Sequence, residues 1–362
     1  MGRDSLRGQV RAGALVAASL AAVSAFADQA AFDRLESERS CPACDLRGVD
    51  LVGARFANVV LDGADLRDAD LTGAILYRAS LKGADLRSCR LTDTSMARAD
   101  LSHANLAGQK IDNARMNGVQ LVGANLTGST LSGAMLDGAN LSGADLSGAD
   151  LSGASLQRTQ LDGAVLHGTR LSNAGLSQLR LSVVSSLREA DLSGANLYKA
   201  DLHGLDLAGN RFVGTNLERA DLKGADLTGA DLSGAILTKA DLTDAKLTDA
   251  DLRQANLTGA RVGGADLPAA RLAGARLTGN LVGIDFTKRD LSGTDFSGAN
   301  LKDARFVDAT LVGAVFVRSH LFGADFSGAN LSKASLQRAN LRDARFYGAM
   351  IEGANFDDAV GR

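Results

Sequence analysis

The side chains able to do chemistry of their own are few and scattered. Cys41-Pro42-Ala43-Cys44 is a C-x-x-C pair, and Cys89 stands apart from it. Such a pair supports three kinds of chemistry: a short disulfide, a thiol–disulfide couple, or half of a zinc site. No second ligand pair completes a zinc set, and no βαβ pattern surrounds the motif. In an oxidising compartment it therefore reads as a disulfide between Cys41 and Cys44. No histidine follows directly, which argues against haem attachment. His103, His167, His203 and His320 lie far apart in sequence and make no metal-ligand spacing. Ser and Asp are abundant, yet no nucleophile elbow, phosphate loop or dinucleotide fingerprint occurs. No catalytic, cofactor-binding or metal residue is assigned, and the chain is read as a non-enzyme.

The abundance of Ser and Asp has a different origin. The 362-residue chain has 41 Gly, 2 Pro, no Trp and only 4% aromatic residues, against 45% apolar residues. That is too few large side chains for a layered core of this size and too much apolar content for disorder. After Cys44 a large apolar residue recurs every fifth position. Centres run from Leu46, Leu51, Phe56 and Leu61 to Leu181, resume from Leu187 to Leu277, and resume again from Leu281 to Phe356. There are 63 such units, 49 of them centred on Leu. Ala usually lies two before the centre, Asp, Asn or Arg one before, and Gly often two after. Ala139 to Ala154 shows the pattern undisturbed, ANLSGADLSGADLSGA. A period of five fits neither a 3.6-residue helix nor a two-residue strand. It fits a chain that turns a corner in each unit and stacks on itself, with Leu and Ala inward and Gly at the turns.

The unit A(D/N)Lxx resembles the pentapeptide-repeat family, and the resemblance covers residues 41–358. It implies an all-β fold, a right-handed quadrilateral parallel β-helix with four units per coil. About sixteen coils at roughly 4.8 Å each give a rod on the order of 75 Å long. The resemblance further implies a scaffold or protein-interaction role. In some members it implies mimicry of DNA that protects topoisomerases.

Twenty residues per coil place positions twenty apart in one column. Phe286, Phe306, Phe326 and Phe346 then form one internal aromatic ladder, and Phe296, Phe316 and Phe356 another on the opposite side. Asp45, Asp65 and Asp85 would repel one another in their column. Other columns mix signs: Asp50 and Asp70 are followed by Arg90 and Lys110, and Asp221 and Asp241 by Arg261. Val307, Val312, Val315, Val317 and Phe322 fall at outward positions of one coil, an apolar girdle for a protein partner of unknown identity.

Departures from the pattern are local. SVVSS between Leu181 and Leu187 adds one residue, as in a bulge, and TGN between Leu277 and Leu281 is one short. Arg289, Gln109 and Asn210 occupy positions where Ala is expected to point inward. An unpaired buried Arg is costly, so Arg289 must escape or distort its corner. Cys89 also takes an inward Ala position and is read as a buried, inert thiol.

The ends carry the remaining expectations. Residues 1–27 read as a signal peptide: Arg3, Arg7 and Arg11, an apolar Ala12 to Val23, then Ala25-Phe26-Ala27 before Asp28. Cleavage after Ala27 places the mature chain in the periplasm or outside the cell. Loss of three Arg and one Asp moves the formal charge from −3 to −5, with 36 basic against 41 acidic side chains. This balance speaks against a nucleic-acid partner, and no later segment is apolar enough to span a membrane. Residues 28–40 read as a helical cap on the first coil, with Phe32 and Leu35 on one face. At the far end Ile351 and Phe356 invite an end-on contact, an end-to-end homodimer.

Overall fold

The computed structural model describes residues 29–361. The segment read as a signal peptide lies outside the described residues. From Ser40 onward, each unit repeats one local shape. The centre residue enters a tight turn whose last amide bonds back to it: Ala144 N–H donates to Leu141 C=O at 3.0 Å and Ala149 N–H to Leu146 C=O at 2.9 Å. The third turn residue takes a left-handed backbone, φ 66° at Gly143 and 65° at Gly148, which is why Gly recurs there. Where Gly is replaced, most often Asn, Asp, Arg or Lys holds the same conformation, as at Asn113, Arg158 and Asp303.

The residue before each centre pairs with the residue twenty positions on. Asn125↔Asp145, Thr130↔Asp150, Met135↔Ser155 and Asn140↔Gln160 are successive parallel bridges, one on each of four sides. Each coil is thus held to the next by short rungs on four sides, and nearly every contact is non-local. Asp or Asn at the bridging position has a second task. Its carboxylate or amide oxygen accepts the amide two residues on, for instance Ser147 N–H to Asp145 Oδ1 at 2.9 Å and Thr127 N–H to Asn125 Oδ1 at 3.0 Å. This Asx turn satisfies an amide at the corner that has no ladder partner.

The interior is filled along its whole length. Leu141, Leu146 and Leu151 are fully buried, as are the intervening Ala144 and Ala149. The two phenylalanine ladders are present. Phe306 stacks on Phe326 at 4.9 Å and on Phe286 at 5.7 Å, and Phe296 stacks on Phe316 at 5.0 Å. Rings of the two ladders also meet edge-to-face across the axis, Phe306 with Phe316 at 5.6 Å. Phe356 meets Phe346 edge-on at 6.1 Å and is separated from Phe316 in its own column by Leu336.

Helix α1, Gln29–Glu38, precedes the first unit. Its buried stripe is Ala31 and Leu35, four apart, with Phe32 half-buried beside them. At the insertion, Val165 pairs with Ser186 instead of the residue twenty on; at the deletion, Arg276 pairs with Asp295. A third irregularity, a 3₁₀ turn at Leu267–Ala269, is centred on Pro268. Pro268 has no amide to offer Asp266, and the freed carboxylate bonds instead to Leu247 N–H and, at 2.6 Å, to Thr248 Oγ1.

Two rungs are lost where bulky residues replace Ala in successive coils. Cys89 stacks with Gln109, and no bridge joins Arg90 to Lys110; Thr159 stacks with Leu179, and none joins Gln160 to Arg180. A single larger residue between alanines is tolerated, since Thr94 and Thr215 keep the rungs at Ser95 and Asn216 on both sides. Arg289 escapes into solvent, and the rung beside it, between Arg271 and Asp290, is absent. Asn210 stays buried; its Nδ2 donates to Leu187 C=O at 2.8 Å while its Oδ1 has no partner.

Candidate functional site: ladders on the outer faces

Cys41 and Cys44 sit at the centre and inward Ala positions of the first unit, the two ends of one turn. Their Cα atoms are 5.6 Å apart and their sulfurs form a close pair. Both are buried under α1: Cys41 Sγ lies 3.3 Å from Ala31 C=O, and Arg34 Nη2 lies 3.5 Å from Cys44 Sγ. Cys89 is buried with its Sγ donating to Leu66 C=O at 2.7 Å, and burial pushes its thiol up to about 12. That thiol is unreactive at neutral pH.

The stacked aspartates do not stand as a bare acidic column. Each is gripped by the Arg two residues on: Arg47 Nη2–Asp45 Oδ2, Arg67–Asp65 at 2.6 Å each, and Arg87–Asp85 at 2.7 Å. Arg47 also reaches Asp65 at 3.7 Å, and Arg67 reaches Asp85 at 3.8 Å. Two parallel columns of opposite sign thus neutralise each other. The Arg47 hydrogen bond holds the Asp45 carboxyl down at about 2, and Arg67 and Arg87 lower Asp65 and Asp85 in the same way. The repulsion expected from the column alone is offset by a partner column that a single-column reading leaves out. Mixed columns pair along their length instead, Arg90 to Asp70 at 3.4 Å and Arg261 to Asp241 at 3.0 Å. Asp251 is the most enclosed of these acids, 6% exposed, between Arg253 at 2.6 Å and Arg271 at 3.0 Å.

All four histidines are exposed. Sequence spacing gave them no ligand partners, but stacking supplies some. His203 Nδ1 lies 2.5 Å from Asp201 Oδ1, and Asp221 of the next coil brings a third ligand atom within 4.8 Å of both. The missing cue was the twenty-residue step from Asp201 to Asp221. These three could hold a divalent cation; in the structure His203 and Asp201 are bonded to each other, and Ser182 Oγ donates to Asp201 Oδ2 at 2.9 Å.

Val307, Val312, Val315 and Val317 are half-buried and Phe322 is 38% exposed, with Lys302 Nζ 5.8 Å from its ring centre. Five-residue steps spread Val307, Val312, Val317 and Phe322 over four successive sides, and only Val315 and Val317 flank one side together. They form a band around the rod and do not gather into one flat patch. At the far end Ile351 is 50% exposed and Phe356 half-buried, with Tyr347, Met350 and Val360 exposed around them. Among the described residues no helix is long and apolar enough to cross a membrane.

Parallel rungs at a twenty-residue repeat, a filled axis and outward polar columns define a β-helical solenoid. The family model described as "Pentapeptide repeats (8 copies)" matches this chain in nine segments between residues 43 and 359. The chain belongs to the pentapeptide repeat family, and its fold is the right-handed β-helix of that family. Among solved structures it is similar to HetL of the cyanobacterium Nostoc sp. strain PCC 7120, a pentapeptide repeat protein involved in heterocyst differentiation regulation. The identity is 28%, over 67% of this chain and 95% of that one, at a TM-score of 0.28. It is also similar to the pentapeptide repeat protein Rfr23 of the cyanobacterium Cyanothece 51142, 32% identical over 37% of this chain and 92% of that one, TM-score 0.22. QnrB1, a plasmid-mediated fluoroquinolone resistance protein, is 19% identical over 72% of this chain and 94% of that one, TM-score 0.23. A search of the curated proteins finds no match.

Proposed function

We propose that this chain is an exported, non-enzymatic scaffold, a rod of about sixteen coils whose outer faces engage a protein partner. The observation that supports it most is the division of labour in each unit. Leu, Phe and Ala fill the axis, and the polar side chains are ordered outward into straight columns. Among the described residues a filled axis leaves no deep cleft for a small substrate, whereas flat charged ladders suit a protein surface. Helix α1 acts as the cap of the first coil, and a Cys41–Cys44 disulfide locks the turn beneath it. Export rests on the n-region, apolar stretch and Ala25-Phe26-Ala27 of the leader. The exposed end around Ile351 and Phe356 is the contact for a second copy.

Fractionation of cells expressing the full chain tests export, with mass spectrometry of the recovered protein. The expected product is periplasmic or secreted and begins at Asp28; an uncleaved chain confined to the cytosol would overturn the reading. In vivo cross-linking of that same material tests the scaffold role. A single partner cross-linked in fixed ratio is expected, and a chain that cross-links to nothing in its own compartment counts against it.

The alternative is a DNA mimic that protects a topoisomerase, or a secreted effector or adhesin. A mimic needs uninterrupted acidic columns, and the Arg47, Arg67 and Arg87 ladder places cations through one of the longest of them. A gyrase protection assay separates the two: protection supports the mimic, and its absence the scaffold.

A further inference from the structure

The rung missing between Gln160 and Arg180 has chemical consequences. Its neighbours in the same column, Asn140↔Gln160 below and Arg180↔Asp201 above, are intact. In an intact rung, Leu161 N–H would donate to Arg180 C=O and Arg180 N–H to Thr159 C=O, as their counterparts do one coil lower: Leu141 N–H to Gln160 C=O and Gln160 N–H to Ala139 C=O. Among the described residues these four backbone groups have no partner. The cause is packing. Thr159 and Leu179 both fill the inward position that Ala takes elsewhere, and both are buried. Together they hold the two coils apart on this side.

The parted coils leave a notch of about 230 Å³ at the surface. Arg158, Gln160, Asp162, Gln178 and Arg180 line it. Arg170 and Arg188, on other sides of the rod, are tied to Asp150 and Asp206, but Arg158 and Arg180 make no ion pair among the described residues. Arg158 and Gln178 sit at the left-handed turn position, φ 58° and 61°, so their side chains spring from fixed corners of the turns.

The inventory of groups selects a ligand. Donors are two backbone amides, two guanidinium groups and two side-chain amides. Acceptors are the carbonyls of Thr159 and Arg180, the Asp162 carboxylate and the amide oxygens of Gln160 and Gln178. A ligand that suits both sets is an anion that accepts many hydrogen bonds and still carries a proton to donate. We propose that the opened rung between Gln160 and Arg180 is a binding site for hydrogen phosphate. Inorganic phosphate keeps at least one hydroxyl proton at neutral pH. Sulfate carries none, so it leaves the acceptors unpaired and meets Asp162 with like charge. An alkyl phosphate, with its second pKa near 6, has also lost its proton at pH 7.5. The scaffold reading is not needed for this site.

Isothermal titration calorimetry of the full chain at pH 7.5 tests it, with inorganic phosphate, sulfate and glycerol phosphate as separate titrants. Phosphate is expected to bind at least tenfold more tightly than either of the others. R158Q/R180Q leaves the rung open and lies on exposed positions, so it retains the fold; phosphate affinity is expected to fall at least tenfold. T159A/L179A restores the alanine pair; the rung closes, amide exchange at Leu161 and Arg180 slows, and phosphate binding is lost. C89A/Q109A closes the opened rung between Arg90 and Lys110 and leaves this binding unchanged. No phosphate binding by the native chain up to millimolar concentration, equal binding of sulfate, or undiminished binding in R158Q/R180Q each overturns the proposal. If T159A/L179A does not fold, the charge variant and the sulfate comparison decide it.

Discussion

Phe306 offers the sharpest test of how the axis is held together. Its ring touches four others: Phe286 and Phe326 in its own ladder at 5.7 and 4.9 Å, Phe296 and Phe316 across the axis at 5.8 and 5.6 Å. Truncation to Ala removes the ring from a fully buried position. The backbone on either side is pinned by the rungs Asp285↔Arg305 and Arg305↔Asp325, so the coil cannot collapse into the void. Phe→Ala in a core costs about 3–5 kcal/mol, more when the site stays open, so a loss near about 4–5 kcal/mol is expected. Phe306→Leu is a different change. Leu fills the same position in most units, so it loses chiefly the ring-pair contribution and part of the volume, about 1–2 kcal/mol. Urea unfolding followed by far-ultraviolet circular dichroism gives both values, provided the slopes agree with the native chain. A Phe306→Ala loss below about 1 kcal/mol, or a Leu variant as damaged as the Ala variant, would refute a rigid axis in which coil spacing is fixed by the rungs.

The remaining expectations concern the turns, the ladders and the thiols. Gly148→Ala meets nothing within 4 Å, so only its φ of 65° is penalised; a loss of about 1 kcal/mol is expected by urea unfolding, and a neutral result would mean that the turn relaxes. Asp251→Ala removes both the turn acceptor for Arg253 N–H and the anion between Arg253 and Arg271, while Asp251→Asn keeps the acceptor. The Ala variant should lose about 1–2 kcal/mol and the Asn variant less, because the exposed guanidinium groups rehydrate. Asp45, Asp65, Asp85 and Asp251 are all held below the usual carboxylate range, chiefly by Arg hydrogen bonds. Their contribution is therefore complete above the unfolded value of about 4 and is lost as pH falls through the lowered folded values, about 2 for Asp45. The melting temperature should stay level from pH 8 to about 5 and drop below about 4; a drop beginning near pH 6 would refute this assignment. Thiol labelling of the native chain should modify no cysteine, and after denaturation without reductant only Cys89; labelling of Cys41 or Cys44 there would show that the pair is reduced.

The period of five carried most of the fold. Leu at the centre and Ala two before it are buried as their spacing requires, because a chain bending at every unit has only one inside. Phenylalanines ten residues apart became two ladders for the same reason. What the period did not disclose were relations between neighbouring columns. Asp45, Asp65 and Asp85 looked like a repulsive stack until the Arg two residues along each unit was counted with them. His203 acquired Asp221 only through stacking. The 3₁₀ turn was likewise missed, although its cause was visible: Pro268 occupies the position whose amide the preceding Asp normally accepts.

Functional signals in such a repeat lie in the exceptions to the unit. A residue that agrees with the unit consensus is accounted for by stacking, and its presence says nothing about a ligand. Ala at the inward position is what lets adjacent coils approach to hydrogen-bonding distance. One larger residue there is accommodated, as Thr94 and Thr215 show, and Gln109 over Ser129 keeps the rung Lys110↔Thr130, but the bulkier pairs Cys89 with Gln109 and Thr159 with Leu179 force a choice between core packing and the rung. At Thr159 and Leu179 packing prevails, and the backbone polar groups left over are the ones that ordinary units never expose. Bulk on the inside thus becomes chemistry on the outside. In a solenoid of this kind, consecutive departures from Ala at twenty-residue spacing mark where to look for a site, and any that leave arginines without carboxylate partners mark where an anion belongs.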